Sequence, residues 1–138
     1  MKFYIGIDPG QNTGIALWNG KEIQFMKSMS FWDAIDLLDH YAETIPEATI
    51  VIENPGLNKP VFHRKVGKKQ LQRIAQNVGM NKRDASLLIE YCKMKGFNIR
   101  EVKPTTEKWD RKDLKMYTGI TKRTNEHVRD AVKLVYGH

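Results

Sequence analysis

Two acidic residues of this 138-residue chain each close an apolar run. Asp8 follows the run at 2–7 and Glu53 follows the run at 48–52, and a Pro-Gly pair comes within three residues of each. Such runs are typical of buried strands, and an ionised carboxylate at a buried strand end is costly unless it is paired or binds a metal. Asp8 alone could simply cap a turn. The same arrangement at Glu53 favours a shared site.

A third group of candidate residues lies near the end of the chain, where His127 and Asp130 are three positions apart. On a helix this spacing places two side chains on one side, so both can face the same point. Asp130 could instead pair on the surface with Arg129 or Lys133, and His127 could be an ordinary first-turn histidine. The combination of three acidic elements with a basic remainder of the chain favours the functional interpretation. Glu126 lies four positions before Asp130, a spacing that also places two side chains on one side of a helix.

Carboxylates that met in this way could bind divalent cations. Hard oxygen ligands suit Mg²⁺ or Mn²⁺ better than zinc, and the single cysteine leaves no thiolate cluster for zinc. Two such ions about 4 Å apart would activate water and stabilise the leaving oxygen during phosphodiester hydrolysis.

The elements that would position these residues begin with three strands. After the Pro-Gly turn, the apolar run at 14–18 continues the chain, and Asn19-Gly20 favours a hairpin with a type I′ turn. A polar–apolar alternation at 22–26 returns from that turn. The first 27 residues or so therefore predict a three-stranded antiparallel meander.

A helix, a strand and a longer helix are predicted next. Ser30 resembles an N-cap with an acid three residues later, and Pro46 closes the helix that it begins. The strand at 48–52 follows. One helical stripe of apolar residues then runs over 71–92, which predicts a long helix bent or broken near Gly79.

The remainder predicts one more strand and two helices. The strand occupies 97–102 and stops before Pro104. A short helix containing Trp109 ends at Gly119, and Asn125 is the candidate N-cap of the last helix.

The element order βββ-α-β-α-β-α-α predicts one α/β domain over residues 1–138, a mixed sheet with helices on its faces. In such sheets, sites form beside the ends of central strands. Strands one and four would be neighbours, which brings Asp8 and Glu53 to one edge.

Charge is segregated along the chain. Residues 1–53 hold 3 Lys/Arg against 8 Asp/Glu, whereas 54–138 hold 20 against 8. Between 54 and 83 there are 8 basic residues and no acid. Lysines that serve only solubility would be interspersed with acids, so this segregation favours a nucleic-acid partner.

Composition also predicts the compartment. No apolar run approaches the roughly 20 residues that span a bilayer, so no membrane partner is expected. Asp8 interrupts any signal-like start, and Cys92 cannot form an internal disulfide. We expect a cytoplasmic protein, or a phage protein acting in the host cytoplasm, with Cys92 as a core thiol.

Three motifs together resemble the RuvC family of Holliday junction resolvases: residues 6–14 (Gly-Ile-Asp-Pro-Gly, then Thr-Gly), residues 51–53 (Val-Ile-Glu) and residues 127–131 (His-Val-Arg-Asp-Ala). The resemblance implies a ribonuclease H-like fold, in which a three-stranded antiparallel meander plus two parallel strands form a five-stranded mixed sheet flanked by helices. It also implies a homodimer that uses two Mg²⁺ ions per active site, with Mn²⁺ as a substitute, to resolve four-way DNA junctions by paired hydrolysis.

The resemblance extends to the site residues by motif position. Asp8, Glu53 and Asp130 correspond to metal-binding carboxylates. His127 takes the place of a fourth catalytic, metal-site residue, which is Asp or His in the family. Glu126 does not match the motif.

The chain departs from the family in two respects. It is shorter than the usual bacterial members, and so resembles a compact, phage-type relative. In familiar members an aromatic residue closely follows the catalytic glutamate and probes the junction, whereas here the nearest aromatic is Phe62, in a basic loop. Candidate DNA-binding residues, for which a solvated surface role is the alternative, are Phe62, Arg64, Lys65, Lys68, Lys69, Arg73, Lys103, Lys108, Lys122 and Arg123.

Other functions use the same residues differently. The motif at 8–14 also resembles the phosphate loop of actin-like ATPases, although those proteins close two domains around ATP. A non-catalytic nucleic-acid-binding domain is disfavoured, because three carboxylates would repel phosphates without a metal. A third alternative keeps the chemistry and changes the substrate to flaps, bubbles or RNA–DNA hybrids.

Overall fold

The structure, a computed structural model, describes residues 2–57 and 82–138. Five strands form one sheet: β1 (Tyr4–Asp8), β2 (Asn12–Trp18), β3 (Ile23–Ser30), β4 (Thr49–Glu53) and β5 (Asn98–Val102). The helices described are α1 (Phe31–Thr44), α2 (82–94), α3 (Arg111–Thr118) and α4 (Glu126–Val135), with a short 3₁₀ turn at Pro55–Leu57.

The strand order in the sheet is β3-β2-β1-β4-β5. β1 pairs antiparallel with β2, and β2 pairs antiparallel with β3. β4 runs parallel to both of its neighbours, β1 and β5. The predicted meander followed by two parallel strands is therefore confirmed, and β1 and β4 are adjacent at the centre.

The two faces of the sheet bury different layers. Ile5, Ile7, Ile50 and Ile52 contribute to a core that also includes residues of α1 and α2. The opposite face packs against α3 and α4, whose fully buried side chains include Leu114, Val132 and Val135. Since side chains alternate along a strand, every second residue of β1 and β4 faces the α4 side. Asp8 and Glu53 belong to that set.

Capping residues set where the helices begin. The side chains of Ser30, Asp110 and Asn125 accept hydrogen bonds from backbone N–H groups three residues later, and so cap α1, α3 and α4. Ser30 and Asn125 are the N-caps that the sequence predicts. Gly119 ends α3 in the left-handed conformation, with φ of 76°, as expected for a C-terminal glycine.

The first hairpin differs from its prediction. A type I′ turn needs positive φ at both central residues. Gly20 has φ of 94°, but no non-glycine residue in the described part of the chain has positive φ. Trp18 instead pairs with Ile23 around a four-residue loop, in which Asn19 Oδ1 accepts hydrogen bonds from the N–H groups of Lys21 and Glu22 at 2.9 and 2.8 Å. The asparagine side chain thus organises a longer turn.

Two element boundaries also differ. β3 continues to Ser30 rather than ending at Met26, and it leads directly into α1. Trp109 precedes α3 instead of lying inside it, because Asp110 and Asp113 form a reciprocal capping box at its start. Of the predicted 71–92 helix, residues 82–92 are helical and the helix continues to 94, while residues 71–81 lie outside the described residues. Among those that are described, no helix is long and apolar enough to cross a membrane.

Candidate active site

Asp8 and Glu53 lie side by side at the carboxyl ends of the two central strands. The register pairs Ile7 with Ile52, so the next residue of each strand is one of the two acids. Asp8 and Glu53 are each only 7% exposed, and their carboxyl groups are in hydrogen-bonding contact. The prediction that both strands present carboxylates at one edge therefore agrees with the geometry.

Helix α4 lies close against this edge because glycines face it. A methyl group at Gly6 would overlap the backbone oxygen of Ala131, and one at Gly14 would overlap that of His127. Gly14 is also the residue that pairs with Asp8 across β1 and β2. The absence of side chains at these two strand positions allows the backbone of α4 to approach the acids.

Helix α4 contributes His127 and Asp130 to the same region. His127 Nδ1 lies 3.1 Å from Asp8 Oδ2, with its side chain 43% exposed, while the residue Asp130 is only 6% exposed. Neither surface alternative for Asp130 is realised: Arg129 donates to the carbonyl oxygens of Trp109 and Thr124, and Lys133 donates to that of Glu107.

Burial and mutual repulsion alter the acidity of the two strand carboxyls. Removal from water raises the pKa of Asp8 to about 6, although the hydrogen bond with Glu53 opposes this shift. Removal from water, the charge of Asp8 and the shared hydrogen bond raise the pKa of Glu53 to about 8. Both shifts favour the protonated form, so the pair tends to share a proton near neutral pH.

Lys108 supplies a positive charge to the cluster. Its Nζ donates to Asp130 Oδ2 at 3.0 Å, and 40% of the side chain is exposed. Burial disfavours the ammonium group, but Asp130, Glu53 and Asp8 outweigh it and raise the pKa of Lys108. Lys108 was predicted to contact DNA phosphate, and here it contacts a carboxylate.

The donor chemistry of the cluster fits a hard divalent cation. Three buried carboxyl groups and an imidazole lie in this region. Burial, with a smaller contribution from neighbouring negative charges, raises the pKa values of Asp8 and Glu53, and a bound cation would favour their ionised forms. Across residues 2–57 and 82–138, however, no three His, Cys, Asp or Glu side chains are already grouped as a coordination site. The third carboxylate, Asp130, is paired with Lys108 instead.

Two grooves adjoin the cluster and its helix. One, of about 220 Å³, is lined by Glu53 and Asp130 together with Val102, Lys103, Thr105, Lys133 and Leu134. The other, of about 450 Å³, lies between β3 and the start of α4. We call it the β3–α4 groove, and its lining is Met26, Lys27, Ser28, Lys122, Arg123, Thr124, Asn125 and Val128.

The predicted DNA-binding residues are distributed unevenly. Lys103 lines the groove beside the carboxylates, and Lys122 and Arg123 line the β3–α4 groove. The six candidates Phe62, Arg64, Lys65, Lys68, Lys69 and Arg73 lie outside the described residues. Sequence reasoning missed Lys27, because this lysine lies on the exposed edge strand and no sequence pattern marks it. It also missed the ion pair between Lys108 and Asp130.

The whole chain has the fold of RuvC. It superposes over its full length, with a TM-score of 0.60 and 12% identity, on 92% of the chain of T. thermophilus RuvC in complex with a Holliday junction substrate. A second Thermus thermophilus RuvC structure gives a TM-score of 0.59 and 14% identity, over 99% of this chain and 92% of the other. No protein-family model and no curated protein sequence matches. The predicted ribonuclease H-like fold is thereby confirmed.

Proposed function

We propose that this chain is a metal-dependent endonuclease that resolves four-way DNA junctions by paired phosphodiester hydrolysis. The observation that carries the proposal is the proximity of Asp8 and Glu53, at the ends of β1 and β4 in a RuvC-like sheet, to Asp130 of α4, with each of the three acids at most 7% exposed. Buried acids at this density are unfavourable unless a cation neutralises them, and the proposed chemistry requires such cations.

Asp8, Glu53 and Asp130 would hold the ions, with His127 beside them. Mg²⁺ or Mn²⁺ bound there would supply activation of water and stabilisation of the leaving oxygen. Residues of the chain would orient the carboxylates and contact the DNA phosphates. The 3.1 Å contact between His127 Nδ1 and Asp8 Oδ2 orients the carboxylate. The adjoining groove, with Lys103 and Thr105 on its wall, offers a cation and a hydroxyl to a neighbouring phosphate.

Branched DNA is the substrate class that we propose. The charge of 20 Lys/Arg against 8 Asp/Glu after residue 53 suits a polyanion, and Lys27, Lys122 and Arg123 line one groove at the start of α4, the helix that carries His127 and Asp130. The structural neighbour bound to a Holliday junction substrate directs the choice among branched substrates. Two symmetric cuts require two active sites, so we propose that the active form is a homodimer. Each protomer would be a single domain over residues 1–138.

A cleavage assay with matched substrates tests this function. End-labelled four-way junction, flap, linear duplex and RNA–DNA hybrid of shared sequence are incubated with Mg²⁺, Mn²⁺ or EDTA. We expect cleavage of the four-way junction with either metal, none with EDTA, and much slower cleavage of the duplex and hybrid. Preferred cleavage of the flap would change the substrate class while keeping the chemistry, and the absence of any metal-dependent cleavage would contradict the proposal.

A further inference from the structure

Lys108 is held in place at the carboxylate cluster by contacts on both sides. It lies in the segment between β5 and α3, which carries no regular secondary structure around it. The carbonyl oxygen of Glu107 accepts a hydrogen bond from Lys133, and that of Trp109 accepts one from Arg129 Nε at 3.0 Å. Both donors belong to α4, the helix that carries Asp130. The helix thus positions the lysine and its carboxylate partner together.

The contact that results differs from an ordinary surface ion pair. Asp130 is 6% exposed, and Lys108 Nζ lies 3.0 Å from its Oδ2. Asp8 and Glu53 also act on the same ammonium group through their charge. A solvated lysine would gain little from such pairing, whereas an ammonium group beside three buried carboxyls offsets charge that is costly to bury.

We propose that the Lys108 ammonium group is a resident counter-ion, which occupies Asp130 in the metal-free protein and must leave it when a divalent cation binds. The inference rests on the proposed function, because it assigns Asp130 to the metal. Lys108 is then a positioning residue that weakens metal binding by the free protein. Once displaced, its charge becomes available to a DNA phosphate, so DNA and metal would favour each other's binding.

Binding of Mn²⁺ to the DNA-free, full-length protein tests the competition directly, with free Mn²⁺ followed by electron paramagnetic resonance. Lys108→Met removes the charge and keeps an unbranched side chain, and Lys115→Met, at an exposed position of α3, is the matched control. We expect Lys108→Met to bind Mn²⁺ about tenfold more tightly than the unaltered protein, because one repelling charge is lost at short range. Lys115→Met should bind within twofold of the unaltered protein.

Three results would overturn the inference. Unchanged or weaker Mn²⁺ binding by Lys108→Met would exclude competition while leaving the proposed metal site standing. If Lys115→Met tightened Mn²⁺ binding by the same factor, the effect would come from the net charge of the protein and not from the position of Lys108. Failure of the unaltered protein and both variants to bind Mn²⁺ would overturn the metal site itself and the proposed function with it.

A second measurement uses the unaltered protein, and so does not depend on the folding of a variant. Lysines are acetylated briefly with and without Mn²⁺, and mass spectrometry compares Lys108 with Lys115. We expect Mn²⁺ to raise the relative acetylation of Lys108 at least about twofold, since an amino group that is no longer held 3.0 Å from Asp130 is more accessible to the reagent. Unchanged reactivity of Lys108 at saturating Mn²⁺ would show that the ion pair persists, and would overturn the inference.

Discussion

Asp8, Glu53 and Asp130 come from three elements that are far apart in sequence, yet each is nearly inaccessible to water. Replacing a carboxyl by an amide keeps its size and removes its charge. We therefore expect Asp8→Asn, Glu53→Gln and Asp130→Asn each to lower cleavage at least about 100-fold, as losing a metal ligand should, while junction binding is retained. Glu126→Gln is the control, because this neighbouring acid is exposed. Near-normal cleavage by any of the three variants would remove that residue from the site.

The raised pKa values of Asp8 and Glu53 make a prediction about stability. Glu53 changes from an ordinary value of 4.5 to about 8 on folding, so the folded state retains a proton that the unfolded chain releases above pH 4.5. The unfolding free energy of the metal-free protein should therefore be greatest near pH 4.5 and fall as the pH rises to about 8. Urea denaturation in EDTA at pH 5, 6.5 and 8 measures it.

Two variants control that measurement. Glu53→Gln cannot ionise at this position, so its stability should change less between pH 5 and pH 8. Glu90→Gln, at an exposed position of α2, should keep the full dependence of the parent protein. Stability that rises across this interval in the parent, or an equal fall in Glu53→Gln, would contradict the assignment.

At the level of residues, sequence reasoning succeeded where local pattern carries the information. Asp8 and Glu53 each end an apolar run, and parallel neighbours bring such ends together. His127 and Asp130 share a helix at a spacing that places them on one side. The contact between Lys108 and Asp130 depends on how Arg129 and Lys133 tie an irregular segment to α4, and no periodicity in sequence encodes that contact.

Among the elements, α4 has the strictest requirement, because its backbone lies against strand glycines. Gly14→Ala would place a methyl group on the carbonyl oxygen of His127. We expect the helix to shift, with a loss of about 1–3 kcal/mol in unfolding free energy and a fall in cleavage greater than tenfold. Gly6→Ala, which meets Ala131 in the same helix, should behave alike. Urea denaturation and the junction assay measure both effects, and normal stability with normal cleavage would contradict this packing.

The order of the elements along the chain was predictable from sequence because most apolar runs have a clear start and stop, and because Ser30 and Asn125 cap helices. Two of the details that were missed lie at the edge of the sheet. β3 is an edge strand with only partly buried side chains, so its extension to Ser30 leaves a weak pattern. The turn at Asn19 follows a side-chain hydrogen bond that overrides the usual preference of Asn-Gly.

At the scale of the whole molecule, we predict that DNA passes through the β3–α4 groove, and the salt dependence of binding tests this path. Each phosphate contact that is lost lowers the slope of log K against log[salt] by roughly 0.9. Replacing Lys27, Lys122 and Arg123 together by glutamine should therefore reduce the slope of junction binding by up to about 2.7. Fluorescence anisotropy between 50 and 300 mM salt measures it.

The control removes the same number of positive charges at positions outside the groove. Lys93, Lys112 and Lys115 are exposed and do not line the groove, so their replacement by glutamine should change the slope less. Equal slopes for the two triple variants would show that DNA follows another path.

Paired incision by two symmetric sites is what would make this fold a junction resolvase. A supercoiled plasmid that extrudes a cruciform measures it, because a single nick releases the supercoiling and destroys the substrate. With Mg²⁺ and saturating protein we expect linear DNA as the direct product, and no product with Asp8→Asn. Nicked circles without linear DNA would contradict resolution by paired hydrolysis and leave a structure-selective nicking enzyme.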